Sequence, residues 1–372
     1  MIYFDNAATT FPKPRAVINA VTDAMKVCGN SGRSGHKYAL CAAETVYNCR
    51  KKLAELFNTR PECVILTNSA TTALNMAIKG TNCINGVTVV SSIEHNSVMR
   101  PLNSLRKNGD TVLKQFLADM GDDDITCENF SAVSRSATNI VVNHASNVCG
   151  RILPIKMLKK LSPGDAVFIA DCSQTAGHIP IDIVELGVDI ICIPGHKGLL
   201  GPMGVGALII NPFSDLVIDP ILEGGTGTDS KMLEMPEYYP ERLEAGTANI
   251  GGIAGLSAAL ELVEFSSKES ELYEYLVNQM KNIVDITIYG LPEKSALSSY
   301  VPVLLFNKNG YDCEAVAATL SERGIAVRAG FHCAPNAHRT LGTYEIGGVR
   351  VSLSKFNTRR EIDRFIDALN TV

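Results

Sequence analysis

Short apolar runs of strand length recur through the first two-thirds of this 372-residue chain: Cys63 to Asn68, Val87 to Ser91, Asn139 to Asn143, Ala166 to Ala170, Val188 to Ile193 and Val205 to Ile210. Helix-length amphipathic segments separate them. Apolar runs alternating with such helices predict a mostly parallel sheet with crossover helices, an α/β fold. Ser69 stands where a helix could open, just before Ala70 to Ala77, as a polar residue at a strand end often does. Ligands of open α/β sheets bind outside the carboxyl ends of the strands, so functional groups are expected there.

From Gly251 a long helical pattern runs through Ala254, Leu256, Ala259, Leu260, Leu262 and Val263 into the charged stretch Lys268 to Glu274, and is expected to link two domains. The alternation then shortens. Tyr300 to Phe306 and Ile325 to Arg328 read as strands and Cys313 to Arg323 as a helix, which predicts a smaller C-terminal α/β domain. Gly121-Asp122-Asp123-Asp124 reads as a solvated turn.

With 46% hydrophobic and 20% charged residues the chain has the composition of a globular protein with a large core. Its net charge of −5, with no dense Lys/Arg patch, argues against a nucleic-acid partner. No basic region followed by a long apolar stretch opens the chain, and no segment is long and uncharged enough to span a bilayer, so a cytoplasmic protein without a membrane partner is expected. The eleven cysteines form no Cys-x-x-Cys pair and lie mostly in apolar stretches, as Cys63, Cys83 and Cys192 do. They read as reduced, buried thiols rather than a disulfide or metal framework. Cys333 differs, because Gly330, His332 and Pro335 around it compose a loop, and a nearby imidazole or arginine would favour its thiolate.

Lys197 lies in Pro194-Gly195-His196-Lys197-Gly198-Leu199-Leu200-Gly201-Pro202, twenty-six residues after Asp171. A lysine at the end of an apolar run can be desolvated into a neutral amine that forms a Schiff base. A carboxylate ending an earlier strand suits the ring nitrogen of pyridoxal phosphate. These two residues alone fit equally a solvated lysine after a turn and an aspartate capping a helix. Ser69-Ala70-Thr71-Thr72 offers N–H groups and hydroxyls to an anion, or simply an N-cap. His95, beyond the run Val87 to Ser91, could stack on a flat ring and move protons, or could be a helix-entry residue. Asn143 or Asn147, at the end of another strand, could reach the cofactor's phenolic oxygen or a substrate group. Gly201 to Gly206 precedes a strand rather than joining strand to helix, so it is not a dinucleotide loop.

Taken in order, Asp5 to Thr10, Ser92 to Asn96, His144 to Gly150, Asp171 to Gln174, Gly195 to Lys197, Glu244 to Asn249 and Arg328 to Pro335 resemble the cysteine desulfurase and selenocysteine lyase family. That family belongs to the class V aminotransferase group of fold-type I pyridoxal 5'-phosphate (PLP) transferases, and the likeness spans residues 2 to about 358. It implies a large PLP-binding domain, residues 13–264, with a mostly parallel seven-stranded sheet, and a small domain, residues 1–12 and 265–372, carrying the cysteine loop. By the resemblance Lys197 is the Schiff-base lysine, Asp171 the partner of the pyridine nitrogen, Gln174 a donor to the phenolic oxygen, and His95 the residue stacked on the ring. Ala70, Thr71, Thr72 and His196 would hold the phosphate, completed by Thr247 of a second copy, which implies a homodimer with shared active sites. Arg350 would pair bidentately with the substrate α-carboxylate beside Asn147, and Arg328 would stand near the mouth.

The implied activity converts L-cysteine to L-alanine: Cys333 attacks the substrate sulfur and keeps it as a persulfide for an acceptor protein. Selenocysteine lyase, or another class V lyase, epimerase or transaminase, is the alternative with the same cofactor. A non-catalytic sulfur carrier or binding protein fits less well beside Lys197, Asp171, His95 and Arg350 together. The compact segment from Arg328 to Cys333 predicts a short reach and slow turnover without an acceptor. Four positions depart from the family pattern: Pro194 replaces a serine or threonine, Cys172 a small residue, Phe331 a second histidine, and the stretch Lys197 to Pro202 is one residue longer.

Overall fold

The computed structural model describes residues 1–32, 35–81, 86–293 and 295–372; Cys83, one of the thiols expected in the core, lies outside them. Thirteen strands are found among the described residues: β1 (Ile2–Tyr3), β2 (Val64–Thr67), β3 (Gly86–Ser91), β4 (Thr111–Phe116), β5 (Asn139–Asn143), β6 (Val167–Asp171), β7 (Ile190–Pro194), β8 (Gly206–Ile210), β9 (Ile286–Tyr289), β10 (Val303–Lys308), β11 (Ile325–Ala326), β12 (Arg328–Gly330) and β13 (Gly348–Ser352). The large sheet has seven strands in the order β2-β8-β7-β6-β5-β3-β4. Its strands β7, β6, β5, β3 and β4 run parallel, and β8 runs antiparallel to both neighbours. Every residue of β5, β7 and β8 is buried, which is why these strands read as unbroken apolar runs. One face packs on Leu53, Phe57, Phe130 and Leu158 and the other on Leu74, Ile78, Val98 and Leu102. The edge strand β4 is the one strand of this seven-stranded sheet that the apolar pattern missed. Only Thr111 and Phe116 at its ends are buried, so it carries no continuous apolar run.

The second, antiparallel sheet has the order β12-β13-β10-β9, and β1 pairs with β11 in a separate two-stranded ribbon. Its core gathers Phe4, Leu276, Phe306, Val351 and Phe365, so the first residues of the chain are packed among the last. The expected strand from Ile325 to Arg328 divides at Val327, because β11 faces β1 while β12 faces β13. The single long helix expected from Gly251 is two helices, Ile250–Leu260 and Lys268–Lys281. The second helix starts at Ser267, whose Oγ donates to Glu271 Oε1 at 2.6 Å. The solvated turn expected at Gly121 to Asp124 is also a helix start. Asp122 caps Asp123–Ser134, accepting from Asp124 N at 2.8 Å and Ile125 N at 3.1 Å, while Asp123 pairs with the buried Arg151. Among the described residues no helix is long and apolar enough to cross a membrane.

The two sheets are tied together beside the segment that follows β7. His178 Nδ1 lies 2.7 Å from Glu269 Oε2, and Lys355 N donates to Glu269 Oε1 at 2.8 Å. Burial alone would lower the His178 pKa, but the Glu269 charge and hydrogen bond outweigh it and raise the value above the ordinary 6.5. Burial would raise Glu269, but His178 and the Lys355 N–H pull it below the ordinary 4.5. The histidine's contribution to stability is full below 6.5 and fades as pH rises through its raised value. The glutamate's is full above 4.5 and fades as pH falls through its lowered value. His178→Gln is therefore expected to destabilise the fold by ~3 kcal/mol near pH 6, the cost of orphaning a buried charge, and by less above pH 8. Urea denaturation at both pH values checks this; a deficit that grows with pH would contradict it.

Candidate active site

The carboxyl ends of β3, β5, β6 and β7 open on a cavity of about 230 Å³, closed on its far side by the β12 loop and β13. Beyond β7, Gly195 N bonds Val205 O at 2.8 Å and Gly201 N bonds Gly195 O at 2.7 Å. In the turn between them Leu200 adopts φ 63° and its N–H returns to Lys197 O at 2.8 Å. The turn turns Lys197 into the cavity. Among the described residues its amine has no hydrogen-bond partner, and burial, with Arg350 and Arg328 adding to it against Asp171, draws its pKa down to about 8. A neutral, nucleophilic amine is thus accessible near physiological pH.

Asp171, the last residue of β6, lines the same cavity and is 4% exposed. Its Oδ1 accepts from Ser173 N at 3.0 Å and from the Ser173 hydroxyl. The carboxylate is held as an acceptor for a further donor such as a protonated ring nitrogen. His95 caps the helix Asn96–Asn108; its Nδ1 accepts from Ser97 N at 3.0 Å, which leaves the ring proton on Nε2. Burial, then the Lys197 charge, lowers its pKa to about 4, so the ring is neutral. Gln174 lines the cavity and donates to Ala7 O at 3.1 Å.

Ser69 caps the helix Ala70–Gly80 by accepting from Thr72 N at 3.2 Å. The N–H groups of Ala70 and Thr71 have no acceptor within the helix and stand at the cavity wall, where an anion would meet them. Gly206 permits this close approach, because a Cβ there would lie 2.9 Å from Ser69 C and 3.0 Å from Ala70 N. Thr71 Oγ1 bonds Ser97 Oγ at 2.9 Å. Across from them His196 Nδ1 is buried without a partner among the described residues, while His196 O accepts from Thr10 N and Lys13 Nζ at 3.1 and 2.7 Å. Pro194 lines the wall where it can donate nothing.

Thr72, expected to hold the phosphate, is turned away from the cavity, and Thr247, expected to serve a second copy, also lies outside it. The Thr72 hydroxyl turns to Asn68 Oδ1 and Ser69 Oγ, and both Thr72 and the exposed Thr247 line a second cavity of about 920 Å³. Thr72 N already donates to Ser69 Oγ, so Thr71 and not Thr72 faces the cavity.

On the opposite wall Arg350 of β13 donates to Asn147 O at 2.9 Å and to Asp5 Oδ1 at 2.6 Å, and its Nε is buried without a partner among the described residues. Asn147 Oδ1 is likewise unpartnered. Arg328, more exposed, has Nη1 3.9 Å from Asp5 Oδ2. Cys333 stands beside them, exposed, and its carbonyl accepts from Asn96 N at 2.8 Å. The other nine described cysteines are free and at least partly buried, and burial pushes the Cys49 thiol up to about 12. Cys172 Sγ, 3.8 Å from His144 Nδ1, is buried under the Asp171 turn.

Sequence reasoning gave no role to Asp5 and did not single out Glu94. Asp5 is the anion between both arginines. Glu94, fully buried, accepts from Asn143 N at 2.9 and 3.1 Å and from Ser91 Oγ at 2.5 Å, tying the ends of β3 and β5; burial raises its pKa to about 8. Both lay within quoted motifs, Asp5 to Thr10 and Ser92 to Asn96, but neither carboxylate carries a local signal that distinguishes it from a solvated one.

The Aminotransferase class-V family model matches residues 2–365. The chain is 31% identical to a probable cysteine desulfurase of Methanothermobacter thermautotrophicus, covering 100% of this chain and 94% of that one. It is 30% identical to one of Pyrococcus abyssi, covering 99% and 93%. The fold superposes on the apo structure of a cysteine desulfurase from Thermococcus onnurineus NA1 with a TM-score of 0.90 at 28% identity, covering 100% of this chain and 94% of that one. With a lysine and an aspartate at adjacent strand ends and a match over nearly its whole length, the chain belongs to the class-V aminotransferase family, beside proteins named cysteine desulfurases.

Proposed function

We propose that this protein is a PLP-dependent cysteine desulfurase that converts L-cysteine to L-alanine and holds the sulfur as a persulfide on Cys333. The observation that carries the reading is that Lys197, Arg350 and the exposed Cys333 line one cavity. The residues fit the cofactor: the helix start at Ala70 and Thr71 for its phosphate, and unpartnered His196 Nδ1 and Asn147 Oδ1 for polar groups within the cavity. When bound, the cofactor withdraws electrons from the substrate α-carbon. Asp171 would keep its ring nitrogen protonated, Gln174 would donate to its phenolic oxygen, and the neutral His95 would lie against its ring. Lys197 would hold it and then move the α-proton. Arg350, steadied by Asn147 O and Asp5, would take the α-carboxylate, with Arg328 at the mouth. That fixes the substrate sulfur toward Cys333, whose thiolate attacks it; the C–S bond breaks and alanine leaves.

The division into residues 13–264 and residues 1–12 with 265–372 is supported by the separate core around Phe306 and Phe365. A homodimer is supported by Thr247, exposed and away from the active cavity, where a second copy could use it for its own phosphate. Free thiols at every described cysteine suit a reducing cytoplasm, and a thiol-bearing acceptor protein would take the persulfide sulfur. The test is to incubate the purified holoenzyme with L-cysteine and with L-selenocysteine and follow alanine. Alanine from L-cysteine, slow alone and faster with an acceptor thiol protein, is the expected result. Alanine from L-selenocysteine alone would overturn the substrate assignment in favour of a lyase.

A further inference from the structure

Behind the loop that presents Cys333 runs a chain of buried side chains with no part in the chemistry above. His332 Nδ1 lies 3.1 Å from His338 Nε2, and His338 Nδ1 lies 2.8 Å from Thr343 Oγ1. The two imidazoles stack with centroids 5.4 Å apart and planes inclined by 13°. At the other end His332 Nε2 faces Arg328 O at 3.4 Å. His332 is 5% exposed, and His338 and Thr343 are fully buried.

The proton positions follow from the partners. A carbonyl only accepts, so His332 Nε2 carries the proton and His332 Nδ1 a lone pair. His338 Nε2 must then be the donor across the 3.1 Å contact, and His338 Nδ1 the acceptor of the Thr343 hydroxyl. The reverse direction would set the His332 Nε2 lone pair against that of Arg328 O. A second proton on His332 would force His338 into its Nδ1–H tautomer and turn the Thr343 hydroxyl to the longer contact with His338 O at 3.5 Å, and would set a charge beside Arg350 and Arg328. Burial acts in the same sense, lowering His332, with Arg350 and His338 beside it, to about 2 and His338 to about 4.

The backbone here is unusual as well. His332 and Cys333 are consecutive non-glycine residues with φ of 51° and 57°. Left-handed backbone is costly for residues with a Cβ and persists only where neighbours hold it. His332 is held twice, by its ring against His338 and by its carbonyl, which accepts from Asn147 Nδ2 at 2.7 Å.

We propose that His338, fixed by Thr343, is a positioning residue for the nucleophile: it holds His332 as the neutral Nε2–H tautomer, a strut that keeps the left-handed turn presenting Cys333 to the cavity. His332 is then no acid for the reaction. The proposal rests on the reading of Cys333 as the nucleophile. Three of its readouts separate it from that reading, because they do not require turnover.

Imidazole ¹⁵N shifts of the holoenzyme should show both rings as Nε2–H tautomers from pH 5.5 to 8.5. His338→Phe keeps a ring but removes the donor, and should change the rate at which iodoacetamide alkylates Cys333. With L-cysteine it should lower kcat about 10- to 100-fold, the cost of a misplaced reacting atom, with KM little changed. His338→Gln, which restores a donor near the Nε2 position, should recover most of that loss. Should His338→Phe not fold, Thr343→Val removes only the hydroxyl, and should give mixed tautomers in the ¹⁵N spectrum. An Nδ1-protonated His332, a His332 that titrates in this range, or unchanged alkylation and kcat in His338→Phe would overturn the proposal. If the wild type makes no alanine, the desulfurase reading falls, and the ¹⁵N spectrum and alkylation rates still decide the tautomer and the turn.

Discussion

Lys197→Ala should lose at least about 10³-fold in alanine formation and should no longer show the visible absorbance of a cofactor bound through a Schiff base. The expectation rests on the amine's surroundings. It is half-buried, without a hydrogen-bond partner among the described residues, and desolvation holds its pKa at about 8 rather than 10.5. A lysine so placed contributes nothing to folding at neutral pH. Because its folded pKa is lowered, folding releases protons between about 8 and 10.5, and ionising it below that range costs stability. The alanine variant should therefore be at least as stable as the wild type at pH 7, which separates lost chemistry from lost fold. Lys197→Arg should fail equally, since a guanidinium cannot supply a neutral amine. Loading of PLP into the apoprotein should accelerate as pH rises through about 8. An unchanged visible spectrum in Lys197→Ala would remove the cofactor assignment.

Cys333→Ala should suffer a comparable loss with L-cysteine while binding PLP normally. The thiol is the exposed one of the ten described cysteines and shares the cavity with Lys197 and Arg350. Its removal should leave the visible spectrum and its change on adding L-cysteine in place, and stop the reaction before sulfur leaves. Cys333→Ser should behave in the same way, because an alkoxide is not accessible near neutral pH whereas a thiolate is. The two variants thus divide the reaction, and a Cys333→Ala protein lacking the cofactor spectrum would contradict that division.

The sheet was legible because β5, β7 and β8 are buried on both faces and leave unbroken apolar runs. The edge strand β4 has water on one side and left no such trace. Lys197, Asp171 and His95 could be picked out because each follows a recognisable strand, and strand ends are where this architecture gathers its groups. Residues whose role depends on a distant partner could not. Asp5 acquires its place from Arg350, 345 residues away. The local signal also failed where it was weaker than its competitor. Asp122 carries the same composition in a turn and in a helix cap, and only the pairing of Asp123 with Arg151 shows which one forms. His338 is silent in sequence because the ring that it orients, His332, lies across a turn of unusual φ.

The central claim is that sulfur passes from the substrate to Cys333, and mass spectrometry of the Cys333 peptide tests it most directly. After holoenzyme is mixed with L-cysteine without reductant, the peptide should be heavier by one sulfur atom, with about one alanine formed per sulfur gained. Alanine released while Cys333 stays unmodified, or made by Cys333→Ala at the wild-type rate, would contradict the account.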